Sequence, residues 1–332
     1  MKKTSFSSSK IDLWKQCELK FYAHVLLGIR PKNNFSRDPK VQLGSILHKF
    51  FHEFYKDQSQ TNLFKQNIKS LRNLEEEFCT AWDDISKSLD YGNDTDAKTQ
   101  QFFYQEKGLK ALKNFYKREE KRGFKQPVFL EKWFKLSFDE FSLTGRVDRI
   151  DREEDGSISI VDYKITDKIL SVEDAKGDNQ LTIYSIACLQ SLLNEKAQKL
   201  ILYYPTQDEE IISYRNDSSI EELLLKLKQI NSHIEQHGLQ QDKYNTNPAD
   251  WKCSSCGFQK QCPEFNERKK LTPGQTSDLK EKIDRHKELQ NLINFLNTES
   301  NQLESEIITS MKQNKITKFE NYKLTQSENT SQ

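Results

Sequence analysis

Asp148, Asp162 and Lys164 are the residues of this chain whose types and spacing could do chemistry. Asp148 stands near the end of the stretch Leu143-Thr144-Gly145-Arg146-Val147-Asp148-Arg149-Ile150, and Asp162 and Lys164 lie two apart in Ile160-Val161-Asp162-Tyr163-Lys164. Both stretches read as strands, so the two-residue period puts Asp162 and Lys164 on one face. A carboxylate and an ammonium projecting from a central strand are costly unless they serve a site. Carboxylates from two paired strands offer hard oxygen ligands to Mg2+ or Mn2+. Such a cation polarises a phosphate and acidifies water, and a neighbouring lysine orients that water or stabilises charge on the phosphate oxygens. The chemistry is hydrolysis of a phosphodiester without a covalent intermediate. Taken alone, Asp-x-Lys on a strand describes a surface salt bridge equally well.

A second constellation is made of thiols. Cys253-x2-Cys256-x5-Cys262, followed by Pro263, puts cysteines on a tight loop, and Cys17, in Trp14-Lys15-Gln16-Cys17, supplies a fourth from the opposite end of the sequence. Four cysteines fit structural Zn2+ about as well as an iron-sulfur cluster. Either would close a very long loop and fix an N-terminal helix against the C-terminal end of the core. Cys79 and Cys188 have no partner at ligand spacing and read as packing residues. Six cysteines in 332 residues are not a secreted disulfide framework. No apolar run approaches the ~18 residues of a membrane span, and Met1 to Lys10 lack a signal-peptide core. The expectation is a soluble, cytoplasmic protein with no membrane association.

The elements that must position these residues follow from the hydrophobic period. Ser7-Ser8-Ser9 offers N-cap hydroxyls before a helix carrying Ile11, Leu13 and Trp14, and Leu43 to Tyr55 repeats apolar residues at helical spacing. From Thr61 to Arg122 the pattern stays helical and charged, with a loop at Tyr91-Gly92-Asn93-Asp94. The period then shortens to two: Val128 to Phe138, Phe141 to Ile150 and Ser157 to Lys164 read as strands joined by turns at Asp139-Glu140 and Glu154-Asp155-Gly156. A helix from about Ser171 to Asn194, strands at Leu200 to Tyr204 and Ile211 to Tyr214, and a helix from Ser218 to Gln236 complete an α/β sheet flanked by helices. Beyond Pro273 a long helix carries Leu289, Ile293, Leu296, Leu303 and Ile307 as an apolar stripe for its own core or a partner, and Ile316 to Leu324 forms a small hairpin over Glu320-Asn321.

A formal net charge of +1 excludes a histone-like polycation. Any nucleic-acid contact must come from local patches, such as Lys117-Arg118 with Lys121-Arg122 or Arg268-Lys269-Lys270, which as solvated helix faces would bind nothing. Aromatic residues, at 11%, give material for stacking on unpaired bases, although most belong to the core.

Further motifs stand around the carboxylates in a set order. Gly44-Ser45-Ile46-Leu47-His48 opens a helix, Glu131 lies on the strand before Asp148, and Gln180-Leu181-Thr182-Ile183-Tyr184 puts Gln180 and Tyr184 four apart on one helical face. With Asp148 and Asp162-Tyr163-Lys164 between them, the sequence resembles the PD-(D/E)XK nuclease superfamily, specifically the RecB and AddB type that includes the CRISPR-associated four-cysteine exonucleases, over roughly residues 5 to 265. Val147 occupies the place of the literal proline, and this subfamily reads Gly-x-x-Asp as Gly145 to Asp148 does.

The resemblance implies a restriction-endonuclease-like α/β core, a central mixed sheet flanked by helices, with a helical N-terminal insertion and a C-terminal helical extension. Residues 1–270 would form the nuclease domain, with 61–122 as an inserted helical subdomain and 251–265 as a cysteine clasp closing on Cys17, and 271–332 would be the tail. His48, Asp148, Asp162 and the Tyr163 carbonyl would hold Mg2+ or Mn2+, Lys164 would be the catalytic lysine and Glu131 an auxiliary acid, and Gln180 with Tyr184 would contact DNA or steady the site. Cys17, Cys253, Cys256 and Cys262 would hold a 4Fe-4S cluster, with structural Zn2+ as the alternative. The implied activity is that of a divalent-metal-dependent deoxyribonuclease, an exonuclease on DNA ends or single strands in repair, recombination or CRISPR adaptation. No Gly-x4-Gly-Lys-Ser/Thr phosphate loop occurs, so it would work alone, or with a separate helicase or with CRISPR adaptation proteins. The alternative is a non-catalytic DNA-binding or assembly module that keeps the fold.

Overall fold

The computed structural model describes residues 3–29, 37–59, 68–92, 96–249, 253–254 and 256–269, then part of 285–311 together with 318–319 and 322–323. The chain divides into two compact units, Met1–Asn266 and Glu267–Gln332.

The first unit is built on a mixed six-stranded sheet. Its strands are β1 (Thr4–Phe6), β2 (Phe129–Ser137), β3 (Phe141–Arg152), β4 (Ile158–Tyr163), β5 (Ala197–Tyr204) and β6 (Glu209–Ser213). The expected hairpin is present: β2 pairs antiparallel with β3, and β3 with β4. The crossover from β4 to β5 makes that pair parallel, and β6 returns antiparallel. β1 is a finding that helical periodicity does not anticipate. Three residues are too few to show a period, and they earn strand status only by pairing in parallel with Phe141 to Leu143.

Helices cover both faces. On one side α1 (Ser8–Gln16), α7 (Asn179–Ala187) and α8 (Asp217–His237) close a core with Phe134, Leu136, Leu143, Val147, Ile150 and Ile160. On the other, α3 (Pro39–Ser59), α4 (Leu71–Ser86) and α5 (Ala97–Lys121) pack on Val161, Tyr163, Ile201 and Tyr203. The helices that the sequence presents as an insertion are therefore a layer of the core, with Phe51 stacked on Phe115 and Phe115 edge-on to Tyr163. The single helix expected after β4 is broken into α6 (Val172–Lys176) and α7, because Gly177 ends the first and Asp178 caps the second through Leu181 N–H.

The sheet inverts its faces at one rung. Leu130 of β2 packs with the α3–α5 helices, but Phe134 and Leu136 pack on the opposite side, although all are even-numbered. Between them Glu131 has φ 48°, in the left-handed region. Across the ladder Val147 and Ile150 share one face despite their odd separation, so β3 inverts around Asp148, the residue matched with Glu131 by the register on either side. Gly145 opposes Phe134, and a Cβ there would stand 2.7 Å from the phenyl ring. That close approach accounts for the glycine of Gly-x-x-Asp.

In the second unit the described helical positions include Leu289, Ile293, Leu296 and Leu303, all exposed. Lys318–Phe319 pairs with Tyr322–Lys323 as the small hairpin expected over Glu320-Asn321. No helix among the described residues is long and apolar enough to cross a membrane.

Candidate active site

The inverted rung is where the chemistry gathers. From α3, His48 points its Nδ1 at Asp148 Oδ2, 3.5 Å away, and at Glu131 Oε1, 4.0 Å away. His48, Glu131 and Asp148 each offer one atom within 4.8 Å of the others, a group that could hold a metal ion. Left-handed backbone at a residue other than glycine costs on the order of 1–3 kcal/mol and persists where structure enforces it. Here it turns Glu131 toward the histidine. The sequence places Glu131 beside the site as an auxiliary acid; the structure brings it into the group nearest His48.

Asp148 does double duty. Its Oδ2 accepts the backbone N–H of Tyr163 at 3.0 Å, satisfying a donor just past the last paired rung of β3 and β4. Asp162 is 1% exposed and lies outside the three-residue group, its Oδ2 2.7 Å from Lys164 Nζ as an ion pair. Lys164 donates in turn to Gln180 Oε1 at 2.7 Å, Gln180 Nε2 donates to the Tyr184 hydroxyl at 2.6 Å, and that hydroxyl donates to the carbonyl of Arg146 at 2.7 Å. This relay ties α7 to β3 and to the end of β4. The spacing of Gln180 and Tyr184 on one helical face is what permits it. The Tyr163 carbonyl accepts a hydrogen bond from His48, so it too borders the group.

Electrostatics show what the cluster lacks. Burial raises Asp148 well above the ordinary carboxylate range, and the neighbouring Asp162 charge adds to that, against the relief given by the Tyr163 N–H. Burial lowers His48 below the ordinary histidine value despite the attraction of Asp162 and Glu131, which keeps the imidazole neutral and able to ligate. Lys164 is pushed down by burial, but the Asp162 carboxylate overcomes this and raises it. Asp162 Oδ2 and Glu131 Oε2 are buried, each held by one cation, Lys164 and Arg146. Crowded carboxylates beside a neutral imidazole are the donor set of a hard divalent cation.

Charges that the sequence does not single out lie beneath the site. Arg149, next to Asp148, is fully buried and points to α3 and α5, where it donates to both oxygens of Glu119 and to the hydroxyl of Tyr55, as well as to Asp151 at 2.7 Å and the hydroxyl of Tyr163. Arg118 and Arg122, expected as part of a nucleic-acid patch, pair instead with Glu119, Glu210 and Asp151. The alternation of charge in Asp148-Arg149-Ile150-Asp151 within an apolar strand is the signal that could have found them. Arg268-Lys269-Lys270 lie outside the residues whose side chains are described.

The expected cysteines approach one another from both ends of the first unit. Cys17 sits at the break between α1 and α2 (Glu18–Phe21), and lines one pocket with Cys253, Cys256 and Cys262. Backbone N–H groups of Phe258 and of Glu264 and Phe265 point to the sulfurs of Cys256 and Cys262. The cysteines are free, and among the described residues no three of their sulfurs lie within 4.8 Å of one another. A tetrahedral zinc would need them about 3.8 Å apart. The ends are already joined by other contacts, including Glu18 with Asn245 and the Tyr22 hydroxyl with the Leu239 carbonyl.

Residues 5–263 match the profile of the PD-(D/E)XK nuclease superfamily. The chain belongs to that superfamily. Its restriction-endonuclease-like core is the mixed sheet flanked by helices described above. An ATP-dependent helicase/deoxyribonuclease subunit of Clostridium acetobutylicum is 27% identical over 252 residues, 66% of this chain and 21% of that protein. The proteins of the same name from Clostridioides difficile and Clostridium perfringens are 24% and 27% identical, over 68% and 67% of this chain and 21% of theirs. This nuclease-superfamily chain therefore spans about a fifth of the length of these curated relatives.

Proposed function

We propose that the chain is a divalent-cation-dependent deoxyribonuclease, an exonuclease on DNA ends or single strands, with His48, Glu131, Asp148, Asp162 and Lys164 as its centre. The observation that carries this reading is the gathering of His48, Glu131 and Asp148 beside Asp162 and a lysine fixed by Gln180. His48, Asp148, Asp162 and the Tyr163 carbonyl, joined by Glu131, are the residues that would hold Mg2+ or Mn2+. When bound, the cation supplies positive charge against the scissile phosphate and lowers the pKa of water in the site. Lys164 keeps its proton there, so it acts as a fixed cation that orients the attacking water and stabilises charge on the phosphate oxygens. Gln180 and Tyr184 hold Lys164 and the β3 backbone in register with each other.

DNA as substrate is supported by the names of the relatives, which are deoxyribonuclease subunits paired by name with a helicase function. On that basis a separate helicase is the partner we assign to the chain, with repair, recombination or CRISPR adaptation as its setting and the cytoplasm as its location. We read 1–270 as the catalytic domain and 271–332 as an appended tail. The four-cysteine pocket we read as the seat of a 4Fe-4S cluster, on the meeting of Cys17 with Cys253, Cys256 and Cys262 in one pocket and on its backbone donors. Anaerobically purified protein should carry iron and visible absorbance that Cys256→Ser removes; zinc in place of iron would overturn the cluster.

Digestion of end-labelled single- and double-stranded DNA with Mg2+ or Mn2+, beside Lys164→Ala and Asp162→Ala, tests the activity. Cleavage by the unaltered protein and loss in both variants is expected. Equal cleavage by all three would mark a contaminant, and none by any would leave a non-catalytic DNA-binding module. Substrates blocked at one terminus read polarity and the need for a free end in the same assay.

A further inference from the structure

Beside the carboxylates stands a surface that the hydrolytic reading does not use. Trp133 is 69% exposed, the most exposed tryptophan among the described residues, and it lies on β2 opposite Arg146 of β3. Phe134 and Gly145 oppose each other on the core side, so Trp133 and Arg146 share the other face, the one toward which α3 brings His48. The Arg146 guanidinium lies over the indole, 5.6 Å from its centroid, and its Nε is 2.6 Å from Glu131 Oε2. Lys135, two residues along the same strand and hence on the same face, is exposed. An indole left open to water, backed by one guanidinium and flanked by an ammonium, is expensive to leave uncovered and complementary to a base with its phosphates.

We propose that Trp133 and Arg146 form a stacking platform for an unpaired nucleobase adjoining the scissile phosphodiester, so that the site takes single-stranded DNA. This rests on the nuclease reading and deepens it by naming the strand form. In a duplex the faces of that base are covered by its stacked neighbours. A single strand presents them. Arg146 links the two functions, because one guanidinium lies over the ring and pairs with Glu131, a carboxylate beside His48.

The test separates binding from cleavage. A short fluorescein-labelled single-stranded oligonucleotide is titrated by anisotropy in Ca2+, and the same oligonucleotide carrying one abasic position is scanned along its length. Trp133→Ala should weaken binding of the intact strand about 5- to 100-fold, with Trp133→Phe retaining most of it, and should raise KM in Mn2+ far more than it lowers kcat. One abasic position should weaken the unaltered protein to the same extent and add nothing in Trp133→Ala. Phe102→Ala, an exposed aromatic on α5, should bind as the unaltered protein does. Equal affinity of Trp133→Ala and the unaltered protein, or indifference to every abasic position, overturns the platform; so does preferred binding of duplex. The abasic scan needs no variant, so it decides even where a substitution fails to fold. Strand binding that depends on Trp133 without cleavage by any metal would sink the nuclease reading and leave the platform standing.

Discussion

Two charged clusters flank one another on β3, and they are built on opposite principles. Around Arg149 three guanidiniums meet three carboxylates, those of Glu119, Asp151 and Glu210, and the hydroxyls of Tyr55 and Tyr163 fill the remaining donor directions. Around Asp148 three carboxylates meet two cations, Lys164 and Arg146, and a neutral histidine. Both are buried, so burial alone does not identify a site. What separates them is neutrality: the first cluster is complete as folded, and the second reserves a place for positive charge.

Dismantling each cluster should give opposite phenotypes. The largest effect is expected from Lys164→Ala, a loss of at least about 10²–10³-fold in kcat by protein that remains folded, read by digestion and thermal melts together. Next comes Arg149→Met, which strands Glu119 and Asp151 in the interior and should cost about 3–5 kcal/mol in urea denaturation, while the folded fraction keeps the residues proposed to hold the metal. Asp148→Asn should do the reverse of Arg149→Met, raising the melting temperature of metal-free protein at neutral pH by removing a carboxylate that burial and Asp162 penalise. Added Mn2+ should then stabilise the unaltered protein and not the variant.

The smallest effect concerns pH, and its sign differs between the clusters. Burial raises Glu119, but Arg149 outweighs it and holds the carboxyl at about 2, below its ordinary 4.5. Its contribution is therefore full above about 4.5 and lost as pH falls toward about 2. Asp148 is raised above its ordinary 3.8, so its contribution is full below 3.8 and lost as pH rises through the raised value. Stability measured against pH in EDTA should lose its acid limb in Arg149→Met and its rise-linked decline in Asp148→Asn. Identical profiles for the two variants would erase the distinction between the clusters.

Much of the active cluster is legible in the sequence because strand period and helical spacing are local rules: Asp162 with Lys164, and Gln180 with Tyr184, follow from periods of two and about 3.6. Gly145 and Asp148 are legible as a motif, and the reason for the glycine, the ring of Phe134, needs coordinates. What stays hidden is set by distant partners. β1 exists only through β3, and Arg149, to the eye one more strand residue, is fixed by Tyr55 and Glu119 from two different helices. The nearness of Glu131 to His48 depends on one residue in a left-handed conformation, which no periodicity announces. Residues 61–122 carry a helical pattern that does not say which surface it covers, and the sheet supplies that surface.

The shared inversion of β2 and β3 makes strand length a functional quantity. Deleting or inserting one residue between Glu131 and Phe134 would turn Phe134 and Leu136 out to water and swing Trp133 inward, and it would unmatch Glu131 from Asp148 in the same event. Substitutions can be absorbed one side chain at a time, whereas a change of length here breaks the hydrophobic layer and the cluster around Asp148 together, and only the tip at Asp139-Glu140 lies outside the paired strands.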